Sequence, residues 1–337
     1  MKKIVILTLL HISLVQMANA QAGDGVFSFL GLPPSSHVAA LGGTNVSLHD
    51  NDLSLTLQNP ALVTTNMHNQ IALNGTHYFA DINFGSAAYS YALDSVNFLS
   101  AGVLYVNYGK FDERNEYGEK LGEFSANDVA LHIMYGRKLS ERWTLGATLK
   151  PIFSIYEQYS SFGIAVDLGL SYFNAGNKFS GGLVLKNIGR QLDGYYSTEG
   201  KRHIEPFPFE IQAGITKRLA HAPFQFSVTA HNLQRWDMSF AQQSSEKNKL
   251  NFGENLIRHF IFGIDFVPSD KFYIAIGYNC RRQQELKVLD NKSLNGFTGG
   301  IGLKLYKFNL GFAIAKYNPS NLSYHISIST NLNSFSF

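Results

Sequence analysis

Residues Ser161–Phe173 read SFGIAVDLGLSYF. Phe162, Ile164, Val166, Leu168, Leu170 and Tyr172 fall on one face, and Ser161, Gly163, Ala165, Asp167, Gly169 and Ser171 on the other. Successive side chains of an extended chain point to opposite faces, so this period of two predicts a strand with one apolar face and one small or polar face. The alternation outlasts the usual strand of about five or six residues. It recurs in FPFEIQAGITKRL, where Phe209, Ile211, Ala213 and Ile215 oppose Glu210, Gln212, Gly214 and Thr216. PFQFSVTAH and YHISISTNL repeat it, with Phe224, Phe226 and Val228, then Tyr324, Ile326 and Ile328, on the apolar side.

Scanning outward gives about fourteen such segments, near 70–79, 83–92, 97–109, 125–139, 142–156, 161–173, 178–188, 207–219, 223–235, 256–267, 270–282, 295–306, 307–317 and 321–333. Their connections alternate in length. Lys110–Phe124, Gly189–Pro206, Trp236–Asn255 and Arg282–Leu294 are long and all follow odd-numbered strands. The connections after even strands are short: SER, NAGN, AHA, PSD and almost nothing at Tyr306-Lys307. Long loops at one end, short turns at the other and an even strand number are the pattern of an outer-membrane barrel, with the long loops outside. A secreted β-sandwich also alternates, but its polar face meets water and carries Lys, Glu and Thr. Here that face is Gly, Ala and Ser with isolated charges such as Asp167, Glu210 and Asp265, which suits a crowded lumen. Tyr91, Trp143, Tyr156, Tyr172 and Trp236 near strand ends are expected in interfacial girdles.

The rest of the chain agrees. It has 337 residues, 13% aromatic, with 26 Phe, 17 Tyr and 30 Gly, at a mean hydropathy of -0.07. Strands that average an apolar and a polar face give such a value. Lys2, Lys3, the apolar run Ile4–Val15 and Ala18-Asn19-Ala20 form a secretory leader with cleavage expected after Ala20. Losing its two lysines takes the net charge from +3 to +1, which excludes nucleic acid as an expected partner. Cys280 is the only cysteine, so no internal disulfide exists. It reads as a strand-end residue.

No catalytic, cofactor or metal constellation is expected. Asp50-Asn51-Asp52 lacks the spaced loop and closing Glu of a calcium site and reads as helix-capping. The histidines show no HExxH, and His77, His132, His231 and His325 sit within strand patterns. NAGNKFSGG has glycines but no phosphate-loop Lys-Ser/Thr pair.

Leu41–Val63, LGGTNVSLHDNDLSLTLQNPALV, breaks the strand pattern. Gly42 and Gly43 permit a tight bend, Asp50, Asn51 and Asp52 are helix caps, Leu53, Leu55 and Leu57 form an apolar face, and Pro60 ends any helix before it. This start, GDGVFSFLGLPPSSHVAALGGTNVSLHDNDLSLTLQNPAL, together with the Asn59-Pro60-Ala61 tripeptide, LVLKNIG at 183–189 and AHNLQRWDMSF at 230–240, resembles the PorV/PorQ family of type IX secretion system outer-membrane proteins, its PorQ branch above all. More distantly it is similar to FadL-type barrels. The resemblance implies an all-β, 14-stranded antiparallel transmembrane β-barrel (69–337) with a small, partly helical N-terminal hatch (21–68) behind a leader (1–20). Gly42, Gly43, Asp50, Asp52, Asn59, Pro60 and Ala61 are the expected hatch residues, plugging a barrel whose N-terminus lies on the periplasmic side. It further implies a non-enzymatic scaffold of the attachment complex, in contact with outer-membrane lipid. Its surface partner would be PorZ-like and would link it to a PorU-like sortase and a PorV-like barrel, which join cargo to anionic lipopolysaccharide. Tyr195, Tyr196, Trp236, Phe240 and Phe252 in the long loops are the expected docking residues. The alternative is a FadL-type channel for hydrophobic solutes, which requires an apolar groove from the surface loops to the hatch and a gap in the wall. A surface enzyme would need a paired nucleophile and base at the outer rim, and no residue pattern supplies one.

Overall fold

The period-two segments pair with their sequence neighbours all the way round. The computed structural model describes residues 25–195, 197–198, 201–238, 251–286, 295–317 and 321–335. It places β1 (Gln70–His77), β2 (Asn83–Ala92), β3 (Asn97–Arg114), β4 (Lys120–Lys138), β5 (Trp143–Tyr156), β6 (Tyr159–Asn174) and β7 (Phe179–Asp193) in one sheet with β8 (Glu210–Arg218), β9 (Phe224–Ala230), β10 (Phe260–Ser269), β11 (Phe272–Asn279), β12 (Phe297–Leu305), β13 (Phe308–Ala315) and β14 (Ser323–Asn331). The sheet is a closed barrel. β14 returns to β1 from Gln70↔Asn331 to His77↔Tyr324. Closure gives every strand of the barrel two paired neighbours, the condition for strands to span a membrane. None of the described helices is long and apolar enough to cross one. The lipid-facing side chains of β6 are the expected ones: Ser161, Gly163, Ala165, Asp167, Gly169 and Ser171 are buried, while Leu168 is exposed.

Several boundaries differ from the sequence expectation. Lys110–Phe124 is not a long loop. β3 and β4 continue through it as a hairpin, with Lys110↔Ser125 and Asp112↔Glu123 paired and only 115–119 turning. Its charges misled the sequence reading, yet they pair across the hairpin, where Lys120 Nζ meets Asp112 Oδ1 at 2.7 Å and Glu123 Oε1 at 2.8 Å. Residues 207–209, 231–235 and 256–259 fall outside strands, and Cys280 opens a short helix rather than ending a strand. Gly25, the first described residue, sits beside Pro206 at the long-loop end, not at the short-turn end. The expected leader, 1–20, lies outside the described residues.

The wall is uneven. β3 to β7 have 14 to 19 residues, whereas β9 has only seven. The ladder between β7 and β8 runs from Phe179↔Lys217 to Lys186↔Glu210. Above Lys186, β7 continues to Asp193 still paired with β6 but, among the described residues, with no strand on its other side. The corner is a bulge at Asn187, which takes the left-handed conformation (φ 58). The described residues also hold three short α-helices: α1 (Ser36–Ala40), α2 (Phe252–Arg258) and α3 (Cys280–Glu285).

Candidate functional site

The lumen is occupied by residues 25–68, which run from the long-loop end to the short-turn end before entering β1. Val26 donates its N–H to Pro206 O (3.1 Å) and Phe27 packs edge-to-face on Phe207 (5.4 Å). Phe27, Phe29, Leu30, Phe84, Leu104, Val106, Ile152 and Phe207 share one apolar cluster. Phe27 holds a positive φ of 58°, uncommon for a bulky residue. Lower down, Ser86 Oγ donates to Pro34 O, Ser35 caps α1 through Val38 N–H, and Ser36 N–H meets Ser327 Oγ at 2.8 Å. The chain then bends at Gly42 and Gly43, whose φ values of 96° and 98° favour glycine. Asn45 Oδ1 accepts from the N–H groups of Ser47 and Leu48. Asp52 caps the turn Leu53–Leu57 through Ser54 N–H at 2.9 Å. Asn59 accepts from Ala61 N–H and donates to Val46 O. Pro60 opens the turn Pro60–Leu62 rather than merely ending the one before it. Asp50 is exposed at the short-turn end.

What seats this segment is a ring of inward glycines. A Cβ on Gly136 would overlap Val63, one on Gly146 the Pro60–Ala61 peptide, one on Gly169 Asn59, one on Gly182 the Val46 carbonyl, and one on Gly277 the Leu41–Gly42 peptide. Gly163 meets Phe27, Gly263 meets Leu41 and Gly311 meets Ser36 in the same way. The strands approach the segment to backbone contact because these positions lack side chains.

Between the apolar cluster and the glycine ring lies a charged layer that the sequence reading did not assemble. Lys150 Nζ pairs with Asp167 Oδ1 at 2.7 Å, both side chains 2% exposed. The second Asp167 interaction fixes the wall: Oδ1 accepts from Asn187 N–H at 2.7 Å and so holds the bulge. Asn187 Nδ2 donates to Pro208 O at 2.9 Å, tying the segment opposite the unpaired edge of β7. Lys186 reaches Gln58 Oε1 of the luminal segment. Asp167 was visible only as an isolated charge. A lysine inside an otherwise apolar strand at Lys150 was the available signal for its partner. Nearby, Asp128 accepts from Ser154, Tyr108 and Tyr156 hydroxyls. Tyr156 therefore faces the lumen and not the membrane interface. Its ring stacks on Tyr195 at 5.1 Å, which turns that expected docking residue inward too. Trp236 packs on Phe252 at 5.0 Å at the long-loop end. Tyr196 and Phe240 lie outside the described residues.

At the short-turn end a polar cavity of about 570 Å³ opens below α1. His37 Nε2 meets Asp265 Oδ1 at 3.1 Å across its wall and stacks on Tyr273 at 4.1 Å. Burial lowers the His37 pKa, but Asp265, with Asp50 and Asp52 behind it, outweighs this and leaves it above the ordinary 6.5. Burial in turn raises the Asp52 carboxyl. A raised histidine contributes binding that is complete below its unfolded pKa and is lost as pH rises through the folded one. Protease protection of the luminal segment is therefore expected to fall as pH rises from the ordinary histidine value of about 6.5 through the higher folded one. Asp265→Asn should flatten that profile; an unchanged slope would assign the dependence elsewhere.

No protein-family model and no curated protein matches the chain. Solved structures do. The CymD monoaromatic hydrocarbon channel is 12% identical, with 91% of this chain and 99% of that one covered at a TM-score of 0.57. The Pseudomonas putida toluene transporter TodX is 12% identical, covering 88% and 96% at 0.55. A Pseudomonas aeruginosa FadL homologue is 9% identical, covering 88% and 98% at 0.50. The chain has the FadL-type barrel fold. Its place is the outer membrane, crossed by fourteen strands. Two of these neighbours are by name a channel and a transporter.

Proposed function

We propose that this barrel is a FadL-type channel that admits hydrophobic solutes at its long-loop end and releases them sideways into the membrane. The observation that carries the reading is the lapse of pairing between β7 and β8 above Lys186, beside the apolar cluster. The irregular residues 203–209 stand opposite that edge. They are held by Asn187 Nδ2 to Pro208 O, by Glu205 N–H to Gln191 Oε1 and by Val26 N–H to Pro206 O. Residues 26–30 fill the apolar space a solute would need. Displacing them releases one of the ties on 203–209, so entry and lateral exit are coupled. Monoaromatic hydrocarbons, the solutes named for CymD and TodX, are suitable probes. Cells carrying the gene are expected to take them up faster than cells without it, and Phe27→Ala should raise the rate further by removing the ring that fills the cluster. Equal uptake with and without the gene would refute the reading.

A second reading keeps the PorQ-like scaffold, with a PorZ-like surface partner. The depth at which the glycine ring grips the luminal segment favours it, since a permanently filled barrel suits docking better than passage. Disruption of the gene should then release the PorZ-like protein from the cell surface. Full retention there would exclude the scaffold.

A further inference from the structure

The connection between β9 and β10 is one of the long loops expected outside the membrane, and its described ends are built the wrong way round for a solvated surface. α2 turns Asn255 and Arg258 toward the protein and leaves Glu254, in its first turn, exposed. Asn255 and Arg258 are buried, with Asn255 Nδ2 donating to Trp236 O, Met238 N–H donating to Asn255 Oδ1, and Arg258 Nη1 donating to Met238 O. Its apolar residues point out: Phe252 is 71% exposed and Ile257 47%, with Leu256, Trp236 and Leu233 exposed beside them. A helix on a water-facing surface shows the opposite arrangement. A barrel wall in lipid shows this one.

The wall beneath explains why. β9 has seven residues. At about 3.4 Å per residue and a tilt of about 40°, it rises roughly 18 Å, against an apolar band about 25 Å tall. Its outward residues Phe224, Phe226 and Val228, paired with Phe266, Ile264 and Phe262 of β10, are apolar to the last rung at Ala230↔Phe260. α2 follows directly above, joined through His231 N–H to His259 O. Leu233 N–H continues the same surface by donating to Ile211 O of β8.

We infer that α2, with Leu233 and Trp236, is part of the lipid-facing wall and completes the apolar band where β9 stops short, its occupant being the acyl chains and headgroup boundary of the outer leaflet. The capping box between Asn251 and Glu254 sets the polar end of the helix at the headgroup layer. The Trp236–Phe252 pair sits where interfacial aromatic residues are favoured. Trp236 and Phe252 thereby become lipid contacts rather than protein-docking residues.

The chain has two tryptophans, Trp143 and Trp236. Trp143→Phe leaves Trp236 as the sole reporter; Trp236→Phe leaves Trp143, on the short-turn side, as the control. The full-length proteins are reconstituted in phosphatidylcholine bilayers with and without brominated acyl chains. Trp236 is expected to lose emission to the brominated lipid, most when bromine is nearest the headgroups, to emit to the blue of free tryptophan, and to resist aqueous acrylamide. Quenching by acrylamide with none by brominated lipid would overturn the assignment and return this face to water or to a protein partner. Ile257→Ser and Phe252→Ser test the same claim without fluorescence. They should weaken resistance to unfolding in the bilayer, and an unchanged midpoint in both would also count against it.

Discussion

Gly146→Val unseats the luminal segment. The Cβ it adds falls on the backbone of Pro60 and Ala61, not on the tip of a flexible side chain. Those two residues are themselves fixed by Asn59, whose side chain holds Ala61 N–H and Val46 O. Neither side can yield locally, so the segment must lift or the strand must bow. Overpacking of this kind costs roughly 1–3 kcal/mol, and two further methyl groups place valine at the upper end. The loss should be read as a lower denaturant midpoint and as new protease cleavage within 25–68. Gly75→Val is the matched control. Gly75 faces outward on β1 with open space around its Cβ position, and valine suits a strand. A stability within about 0.5 kcal/mol of the parent is expected there. Equal effects at both positions would show that the glycine ring is incidental to the segment.

Asp167→Asn should be the most damaging single change in the wall. It removes the carboxylate that pairs with Lys150 and lies near Lys186, both of them buried. Breaking a buried pair by removing one partner costs about 3–5 kcal/mol, because the other charge remains uncompensated. It also loosens the Asn187 bulge that Asp167 holds. Lys150→Met should cost less, since Lys186 remains near enough to neutralise Asp167. Replacing the pair together, as Lys150→Met with Asp167→Leu, should recover part of the loss. The order, Asp167→Asn worse than Lys150→Met and the double change better than Asp167→Asn, can be read from unfolding midpoints in bilayers. The reverse order would mean that the layer is solvated.

How much of this was legible in the sequence follows from what period two encodes. Alternation marks which residues face out, so strand number, antiparallel closure and the small-residue lining came directly from segments such as 161–173. It carries no information on where a hairpin leaves the membrane, which is why charged 110–124 read as loop while it pairs as β3 and β4. Leu53, Leu55, Leu57 and the Asp52 and Asn59 caps announced a compact segment before β1. That Gly146, Gly169 and Gly182 receive it could not be seen, because each is one glycine among 30 until the strands are placed around the segment. The Lys150–Asp167–Asn187 corner was hidden for the same reason: its members lie on three strands. α2 escaped because half of its connection is polar, and its orientation depends on the seven-residue length of β9.

The direct test of passage through this lumen is a reversible tether at its entrance. Phe27→Cys with Phe207→Cys joins the luminal segment to residues 203–209 at two rings now in contact; Cys280→Ser removes the native thiol. Uptake of a monoaromatic hydrocarbon by cells carrying this protein should be lost when the pair is oxidised and return on reduction. Uptake that is equally fast in the oxidised and reduced states would contradict movement of residues 25–30 as the gate.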